Sequence, residues 1–258
     1  MYLISDLDKT LVYSRQGEYT CVEYKGDKPI TYMTPKAKDT MDRLLQNDDF
    51  HLIPCTLRSI EQTMRIGFIR DNIPEFMICD NGASIYKNGE VDIDWDIAID
   101  KIINKKEVAI LYKKVQEYIK INNIPIYMLK TNRDAFISVI FNDKDTSEKY
   151  IDNILQFVNK SCYNIFKQGK KTYIVPKLLN KEIAVRFLRE HYHVHNVITS
   201  GDSSVDDKFV ELGDYQVLPQ HAIFRLPKAI VTENSGIVGG EELLGIVEKI
   251  ENNQKAIS

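Results

Sequence analysis

The chain has 258 residues, of which 43% are hydrophobic and 28% are charged, a composition that excludes a disordered tail protein and a collagen-like fibre. Its 34 basic and 37 acidic residues give a net charge of −3, so we expect neither nucleic acid nor a membrane among its partners. Because no run of about 18 apolar residues occurs, no membrane-spanning helix is predicted.

The N-terminal sequence MYLISDLDKT has neither the basic segment nor the apolar stretch of a signal peptide, and we therefore expect a cytoplasmic protein. The cysteines show no CxxC spacing and no cluster with histidine, which predicts reduced thiols. They are Cys21, Cys55, Cys79 and Cys162. We expect a monomer or a weak homodimer.

Short apolar runs alternate with helical patterns near both ends of the chain. The runs predict buried strands at 2–6, 50–55, 76–79, 196–200 and 215–218. Thr34 followed by Pro35 predicts the start of a helix, and apolar residues at helical spacing predict further helices over 59–70, 181–191 and 241–252. Buried strands that alternate with amphipathic helices indicate an α/β fold with a parallel sheet.

The middle of the chain has a different pattern. Asn88-Gly89 between two short apolar segments predicts a β-hairpin over 85–93. Helices are then predicted near 105–121 and 147–159, and strands at 135–141, 162–166 and 172–175. We place this α/β insert at 83–175, so that the parallel-sheet domain is discontinuous and comprises 1–82 and 176–258.

Two carboxylates stand at the C-terminal end of the first predicted strand, at the edge where open parallel sheets bind ligands. Asp6 and Asp8 lie two residues apart in an extended segment, so their side chains emerge on the same side. Because close carboxylates repel each other, they need a shared proton or a cation, and Mg²⁺ suits such hard oxygen ligands. The alternative for this pair alone is a solvated acidic turn.

A second acidic cluster, GDSSVDD at residues 201–207, follows another predicted strand. Asp202 and Asp206 are four residues apart, which places them on neighbouring turns of a helix start. The alternative for this cluster alone is a helix cap whose acidic residues complement the helix dipole. Two acidic clusters at two parallel-strand ends indicate instead one shared metal site.

Two further side chains suit a phosphate group. Thr56 stands at the end of the second predicted strand, and Lys181 stands at the start of a predicted helix. A hydroxyl at a strand end and an ammonium at a helix N-terminus both bind phosphate oxygens. The alternatives are a helix cap for Thr56 and a solvated surface lysine for Lys181.

The order DLDKT, Thr56, Lys181, GDSSVDD resembles the four motifs of the haloacid dehalogenase (HAD) superfamily of phosphohydrolases. The resemblance extends over the whole chain and implies a Rossmann-like parallel-sheet core with an inserted α/β cap domain. The insert is similar to the large cap of the Cof-like and sucrose-phosphate-phosphatase-like subfamily. The sequence DNGA at residues 80–83 also resembles the core-to-cap junction of that subfamily.

The resemblance implies a role for each motif residue. Asp6 would be the nucleophile that forms an aspartyl-phosphate. Asp8 would be the general acid and base, which protonates the leaving alkoxide and then activates water. The transferring phosphoryl group would be held by Thr56, Lys181 and the backbone N–H of Leu7.

The resemblance also implies a Mg²⁺ site. Its ligands would be Asp6, the backbone carbonyl of Asp8, Asp202 and, directly or through water, Asp206. This chemistry is consistent, because a carboxylate nucleophile divides phosphoryl transfer into two steps and positive groups stabilise the transition state. The metal would neutralise the repulsion between Asp6 and the phosphate.

Three positions depart from the family pattern. Lys9 replaces the usual glycine of DxDGT, and Leu57 stands where many relatives have glycine. Val205 stands where relatives often have asparagine, and valine cannot make the hydrogen bonds of an amide side chain. The last departure removes expected support from the metal loop but leaves its two carboxylates in place.

Residues around the motifs are candidates for substrate contacts. Segments 20–24 and 29–33 predict a hairpin beside Asp6, with Tyr13 and Arg15 nearest the ligand; an ordinary surface hairpin is the alternative. Arg58 follows Thr56 and is a further candidate. The cap should recognise the leaving group, and its candidates, which are otherwise solvated charges, are Lys130, Arg133, Lys170 and Lys171.

These inferences predict a Mg²⁺-dependent phosphomonoesterase that acts on a small phosphorylated metabolite, of the sugar phosphate or phosphoribosyl class. One alternative is a phosphomutase with the same aspartyl-phosphate intermediate. The other is a catalytically silent protein that senses a phosphorylated ligand. The intact Asp6 and Asp8 pair argues against the silent protein, and Val205 argues weakly for it.

Overall fold

The computed structural model describes residues 1–14 and 17–255 and divides into two compact units. The first unit comprises Met1–Asp92 and Lys181–Ser258, and the second comprises Ile93–Asn180. Among the described residues, no helix combines the length and the apolar character needed to cross a lipid bilayer. All four cysteines are free thiols.

The first unit begins with the segments that carry the predicted DLDKT and Thr56 motifs. Its elements before the second unit are β1 (Tyr2–Ser5), β2 (Thr20–Lys25), β3 (Lys28–Met33), α1 (Pro35–Leu45), β4 (His51–Pro54), α2 (Ile60–Thr63), α3 (Gly67–Arg70), β5 (Phe76–Cys79), a 3₁₀ turn (Asp80–Gly82), β6 (Ser84–Lys87) and β7 (Glu90–Val91).

The second unit is an antiparallel sheet with helices. Its elements are α4 (Ile93–Ile102), α5 (Lys105–Ile121), β8 (Ile126–Asn132), β9 (Phe136–Phe141), α6 (Lys144–Leu155), β10 (Tyr163–Gln168) and β11 (Lys171–Pro176). The strand order is β10-β11-β9-β8, with Ile137 of β9 level with Ile174 of β11. The core combines Ile137 and Val139 of the sheet with Val108 of α5 and Ile151 of α6, all of them buried.

The chain then returns to the first unit. The remaining elements are α7 (Lys181–His191), β12 (Val197–Ser200), α8 (Asp207–Val210), β13 (Tyr215–Leu218), β14 (Ile230–Val231) and α9 (Gly236–Lys255).

The main sheet of the first unit is parallel and has the order β14-β13-β12-β1-β4. β1 is therefore an interior strand, and Leu3 lies between Ile198 of β12 and Leu52 of β4. Continuous apolar residues suit such strands because helices cover both faces of a parallel sheet. The predicted α/β fold class with a parallel sheet is confirmed.

The helix predicted over 59–70 is observed as two short helices, α2 and α3. The helix is interrupted between them because Ile66 has extended backbone angles (φ −75°, ψ 119°) and is fully buried. The break lets Ile66 pair with Glu23 of β2.

The hairpin predicted over 85–93 forms as β6 and β7, but it lies in the first unit. Ile85 of β6 pairs with Ile78 of β5, so the hairpin belongs to a three-stranded sheet with the order β5-β6-β7, which is separate from the main sheet but within the first unit. The second unit therefore starts at Ile93 and ends at Asn180, later than the boundaries that we placed at 83 and 175. The role of this unit as a cap stays a prediction.

Candidate active site

Three strand ends meet where the predicted motifs stand. Ser5, the last residue of β1, is level with Ser200 of β12 and Pro54 of β4. The N–H of Asp6 donates to the carbonyl of Ser200 at 2.9 Å, which continues the pairing beyond the strand. Parallel pairing therefore brings Asp6 beside the GDSSVDD loop and the Thr56 loop, at the edge where such sheets bind ligands.

A buried ammonium group joins two of the predicted carboxylates. Lys181 Nζ lies 2.7 Å from Asp6 Oδ1 and 2.7 Å from Asp206 Oδ1, and the Lys181 side chain is fully buried. Burial acts to lower the pKa of Lys181, but the charges of Asp206 and Asp6 outweigh it and raise that pKa above its usual value. The ammonium is therefore charged at neutral pH, and Lys181 is not a solvated surface lysine.

Three carboxylates cluster beside this ammonium. One oxygen from each of Asp6, Asp202 and Asp206 lies within 4.8 Å of the others, and all three residues are buried. Burial raises the pKa of Asp6 well above its usual value, against the opposing charge of Lys181. Burial, reinforced by the charge of Asp206, also raises the pKa of Asp202 to about 6.

The cluster fits the metal that the sequence predicts. Buried carboxylates are costly unless positive charge compensates them, and here two of the three, Asp6 and Asp206, share the ammonium of Lys181. A divalent cation that prefers oxygen ligands would add positive charge there. This buried carboxylate cluster therefore suits Mg²⁺.

Asp206 stabilises the GDSSVDD loop through hydrogen bonds. Its Oδ2 atom accepts the N–H of Asp202 at 3.2 Å, the N–H of Ser203 at 2.9 Å and the hydroxyl of Ser203 at 2.6 Å. Gly201 lies so close that a Cβ there would stand 2.5 Å from the Asp206 Cβ. Because Lys181 occupies Oδ1, both oxygens of Asp206 are engaged, which favours a supporting role over direct metal ligation.

The same bonds bear on the departure at Val205. The side chain of Val205 is half-buried, and the loop is fastened by Ser203 and Asp206 on either side of it. The loop is therefore held without a polar side chain at position 205.

A tight turn after β1 shapes the start of the site. The carbonyl of Leu7 accepts the N–H groups of Leu11 and Val12, both at 2.9 Å, and Leu7 itself is buried. Lys9 in this turn has a φ of +65°, the left-handed conformation that glycine adopts without a steric cost. This conformation explains why a glycine suits the position that Lys9 occupies.

The Thr56 loop is anchored from the side of β5. Thr56 is buried, and its hydroxyl accepts the N–H of Arg58 at 3.1 Å. Asp80 and Asn81 donate their N–H groups to the carbonyls of Arg58 and Thr56, at 2.8 and 3.0 Å. The turn is strained at Asp80 and Asn81, whose φ values are +51° and +58°, whereas glycine at position 82 adopts its φ of +90° without a steric cost. Within the described part of the chain, Asn81 Oδ1 is buried without a hydrogen-bond partner.

Arg58 contacts Asp8, the predicted general acid and base, and does not extend into solvent. Its Nε and Nη2 atoms donate to Asp8 Oδ2 and Oδ1, at 2.8 and 2.7 Å. Its Nη1 atom donates to Glu23 Oε2 at 2.9 Å, and only 10% of the Arg58 side chain is exposed. Burial acts to lower the pKa of Arg58, but the bonds to Asp8 and Glu23 raise it overall.

The other predicted substrate residues lie in different places. Tyr13 is buried in the first unit, and its hydroxyl donates to the carbonyl of Thr10 at 3.1 Å. Arg133 lies in the second unit and donates to both carboxylate oxygens of Asp96 at 2.7 Å. Arg15 lies outside the described residues. A substrate contact by any of the three stays a prediction.

Sequence reasoning missed Glu23 and Ser203. For Ser203 a signal was present, because a hydroxyl directly after Asp202 can bond within the acidic loop. For Glu23 no pattern gave a signal, because a charged residue in a strand is normally expected to face solvent. Its burial depends on an irregular strand pairing that the sequence does not reveal.

Comparisons with known proteins identify the family and the fold of this chain. The family model described as sucrose-6F-phosphate phosphohydrolase matches residues 1–218. Among curated protein sequences, no significant relative was found. Solved structures show the fold. The sucrose-phosphatase of Synechocystis sp. PCC6803, solved with sucrose and phosphate, is 16% identical, with 96% of this chain and 97% of that chain covered and a TM-score of 0.61.

Two other solved structures are similar over nearly the full length. A haloacid dehalogenase-like hydrolase from Bacteroides thetaiotaomicron is 15% identical, with 95% of this chain and 98% of that chain covered and a TM-score of 0.64. A trehalose-6-phosphate phosphatase related protein is 16% identical, with 98% of this chain and 100% of that chain covered and a TM-score of 0.62.

Proposed function

Because the chain belongs to the sucrose-6F-phosphate phosphohydrolase family of HAD-type phosphatases, we propose that it hydrolyses a sugar phosphate or a related small phosphate monoester with Asp6 as nucleophile. The observation that carries this proposal is the buried Lys181 ammonium, 2.7 Å from Asp6 at the end of β1. The family name and the sucrose and phosphate held by the Synechocystis enzyme support the substrate class.

In the first step, an Asp6 oxygen bonds to phosphorus while the bond from phosphorus to the leaving oxygen breaks. Asp8 gives its proton to that oxygen, which leaves as an alcohol. Lys181, the Thr56 hydroxyl and the N–H of Leu7 bind the phosphoryl oxygens, whose charge must be stabilised in the transition state.

In the second step, Asp8 takes a proton from a water molecule, whose oxygen bonds to phosphorus. The bond from phosphorus to the Asp6 oxygen breaks, which releases inorganic phosphate and restores the Asp6 carboxylate. Asp8 regains the proton that the first step used, so one residue serves both steps.

The residues that would hold Mg²⁺ are Asp6, Asp202 and the backbone carbonyl of Asp8, with Asp206 in support. When bound, the ion offsets the repulsion between the Asp6 carboxylate and the phosphate dianion. Lys181 contributes charge to the same end, and it does so whether or not a metal is present.

The proposal is tested by phosphate release from a panel of phosphomonoesters, with Mg²⁺ and with EDTA. The variants are Asp6→Asn and, as a matched control, Asp207→Asn, which removes a neighbouring carboxylate that bonds the N–H of Lys208. We expect Mg²⁺-dependent release by the wild type and by Asp207→Asn, and none by Asp6→Asn.

Two results would contradict the proposal. Equal release by Asp6→Asn would exclude this residue as the nucleophile. No release from any ester by the folded wild type would favour the phosphomutase or the silent sensor that the sequence left open.

A further inference from the structure

A buried charge network connects Asp8 with the β2–β3 hairpin. Glu23 on β2 is fully buried. Its Oε2 atom accepts a hydrogen bond from Arg58 Nη1 at 2.9 Å and from the Thr31 hydroxyl at 3.0 Å. Its Oε1 atom accepts from Nη2 and Nε of Arg65, at 2.9 and 3.0 Å. Both carboxylate oxygens of Glu23 are therefore satisfied.

An irregular strand pairing turns Glu23 inward. The register between β2 and β3 shifts on both sides of Glu23, between Cys21 and Glu23 and again between Glu23 and Tyr24. Such β-bulges redirect a side chain and are common next to active sites. Glu23 also bridges to Ile66, at the break between α2 and α3, which fixes its backbone from a second side.

Burying the Glu23 carboxylate costs free energy, because the charged group loses its contact with water. A buried ion pair is often no more stable than a well-packed apolar pair of similar volume, so stability alone gives little reason for a carboxylate at this position. Glu23 is connected to the candidate site through Arg58, because Arg58 bonds both Glu23 and Asp8.

Arg58 is held from both sides. Two of its nitrogens grip both oxygens of Asp8, and a third bonds Glu23. A planar guanidinium in this fork geometry fixes the plane of the carboxylate that it binds. The 41% exposure of the Asp8 side chain leaves that carboxylate accessible, while its orientation is set from the buried side.

We propose that Glu23 is a positioning residue for the reaction: through Arg58, it sets the orientation in which the Asp8 carboxyl transfers a proton to the leaving oxygen. This inference rests on the proposed function, since it assigns Asp8 the role of general acid. It gives the hairpin a part in the chemistry, and it does not require the hairpin to touch the substrate.

The test compares Glu23→Gln with Arg65→Gln, which removes the other cation from Glu23 but leaves the bond between Arg58 and Glu23. The rate of leaving-group release is measured in a single turnover on two substrates, a sugar phosphate and p-nitrophenyl phosphate. The alkoxide of the sugar needs a proton from Asp8, whereas the nitrophenolate leaves readily without one.

We expect Glu23→Gln to slow release from the sugar phosphate roughly 10- to 100-fold, because small misplacements of a catalytic group have effects of that order. The loss on p-nitrophenyl phosphate should be at least fivefold smaller, and KM on both substrates should change less than about twofold. Arg65→Gln should remain within about threefold of the wild type on both substrates.

Equal losses on the two substrates would overturn the inference, because they would indicate general damage to the fold rather than a misplaced acid. A Glu23→Gln rate equal to the wild-type rate would overturn it too. If Glu23→Gln does not fold, Thr31→Val removes one hydrogen bond from Glu23 Oε2 and must give a smaller loss with the same substrate preference. A wild type inactive on both substrates would instead refute the proposed function, and the inference with it.

Discussion

Replacing Lys181 by methionine removes the ammonium but keeps most of the length and apolar volume of the side chain. In the wild type, this ammonium lies 2.7 Å from Asp6 Oδ1 and 2.7 Å from Asp206 Oδ1. The variant therefore leaves two buried carboxylates without their shared cation. The decrease in its free energy of unfolding should measure how much this cation stabilises the fold.

The magnitude follows from the geometry. Each carboxylate oxygen at 2.7 Å attracts the ammonium by about 6 kcal/mol at an effective dielectric constant of about 20. Burial of the ammonium itself costs several kcal/mol, which its removal recovers. Because breaking a buried ion pair typically costs about 3–5 kcal/mol, we expect the free energy of unfolding to fall by about that amount at neutral pH in EDTA.

The assay is urea unfolding followed by far-ultraviolet circular dichroism. The control is the double variant Asp6→Asn/Lys181→Met, in which one of the two unpaired carboxylates is gone. It should be at least about 1 kcal/mol more stable than Lys181→Met alone, since groups in direct contact couple. A loss below about 1 kcal/mol for Lys181→Met, or a double variant no more stable than it, would refute the reasoning.

Three further predictions concern residues around the carboxylate cluster. Burial raises the pKa of Asp202 to about 6, so in EDTA its protonated carboxyl stabilises the fold below about pH 4, and this stability is lost as the pH rises through 6. In urea titrations, the free energy of unfolding of Asp202→Asn should therefore fall by about 3 kcal/mol less than that of the wild type when the pH rises from below 4 to above 6. An equal pH dependence of the two proteins would contradict the raised pKa. Lys9→Gly should raise the free energy of unfolding by about 1 kcal/mol, because Lys9 has a φ of +65°; a thermal scan with a lower Tm would be the opposite outcome. Gly201→Ala should cost about 2 kcal/mol or more, because its Cβ would stand 2.5 Å from the Asp206 Cβ, and wild-type stability in the same scan would show that the loop yields.

The parts of the fold that the sequence predicted are those with a local signal. The strands that became β1, β4 and β12 are short apolar runs, and Thr34 begins α1 with a side-chain bond to the N–H of Ala37 at 3.0 Å. Helix α4 escaped prediction because Ile93 and Ile97 are exposed, at 72% and 53%, so apolar residues do not mark one buried face. The hairpin of β6 and β7 was predicted, but its pairing with β5 is a tertiary contact that no local pattern contains.

The candidate site divides in the same way. Chain order predicted that Asp6, Lys181 and Asp206 stand at strand or helix ends, and the structure places Lys181 2.7 Å from each of the two carboxylates. Their roles in the reaction stay predictions. The inward turn of Glu23 was beyond sequence reasoning, because it results from a bulge in β2 and from an ion pair with Arg58, which is 35 residues away in the chain.

The central claim is that Asp6 becomes covalently phosphorylated. The most direct measurement is mass spectrometry of peptides from acid-quenched protein after incubation with p-nitrophenyl phosphate and Mg²⁺, in the Asp8→Asn variant. Because the nitrophenolate leaves without a proton from Asp8 while hydrolysis of the intermediate still needs the general base, the second step should slow more than the first, so that the intermediate accumulates. We predict one added phosphoryl group on the peptide that contains Asp6, and none when Asp6→Asn is added to the variant. Phosphate release with no labelled peptide, or a label on another residue, would contradict the account.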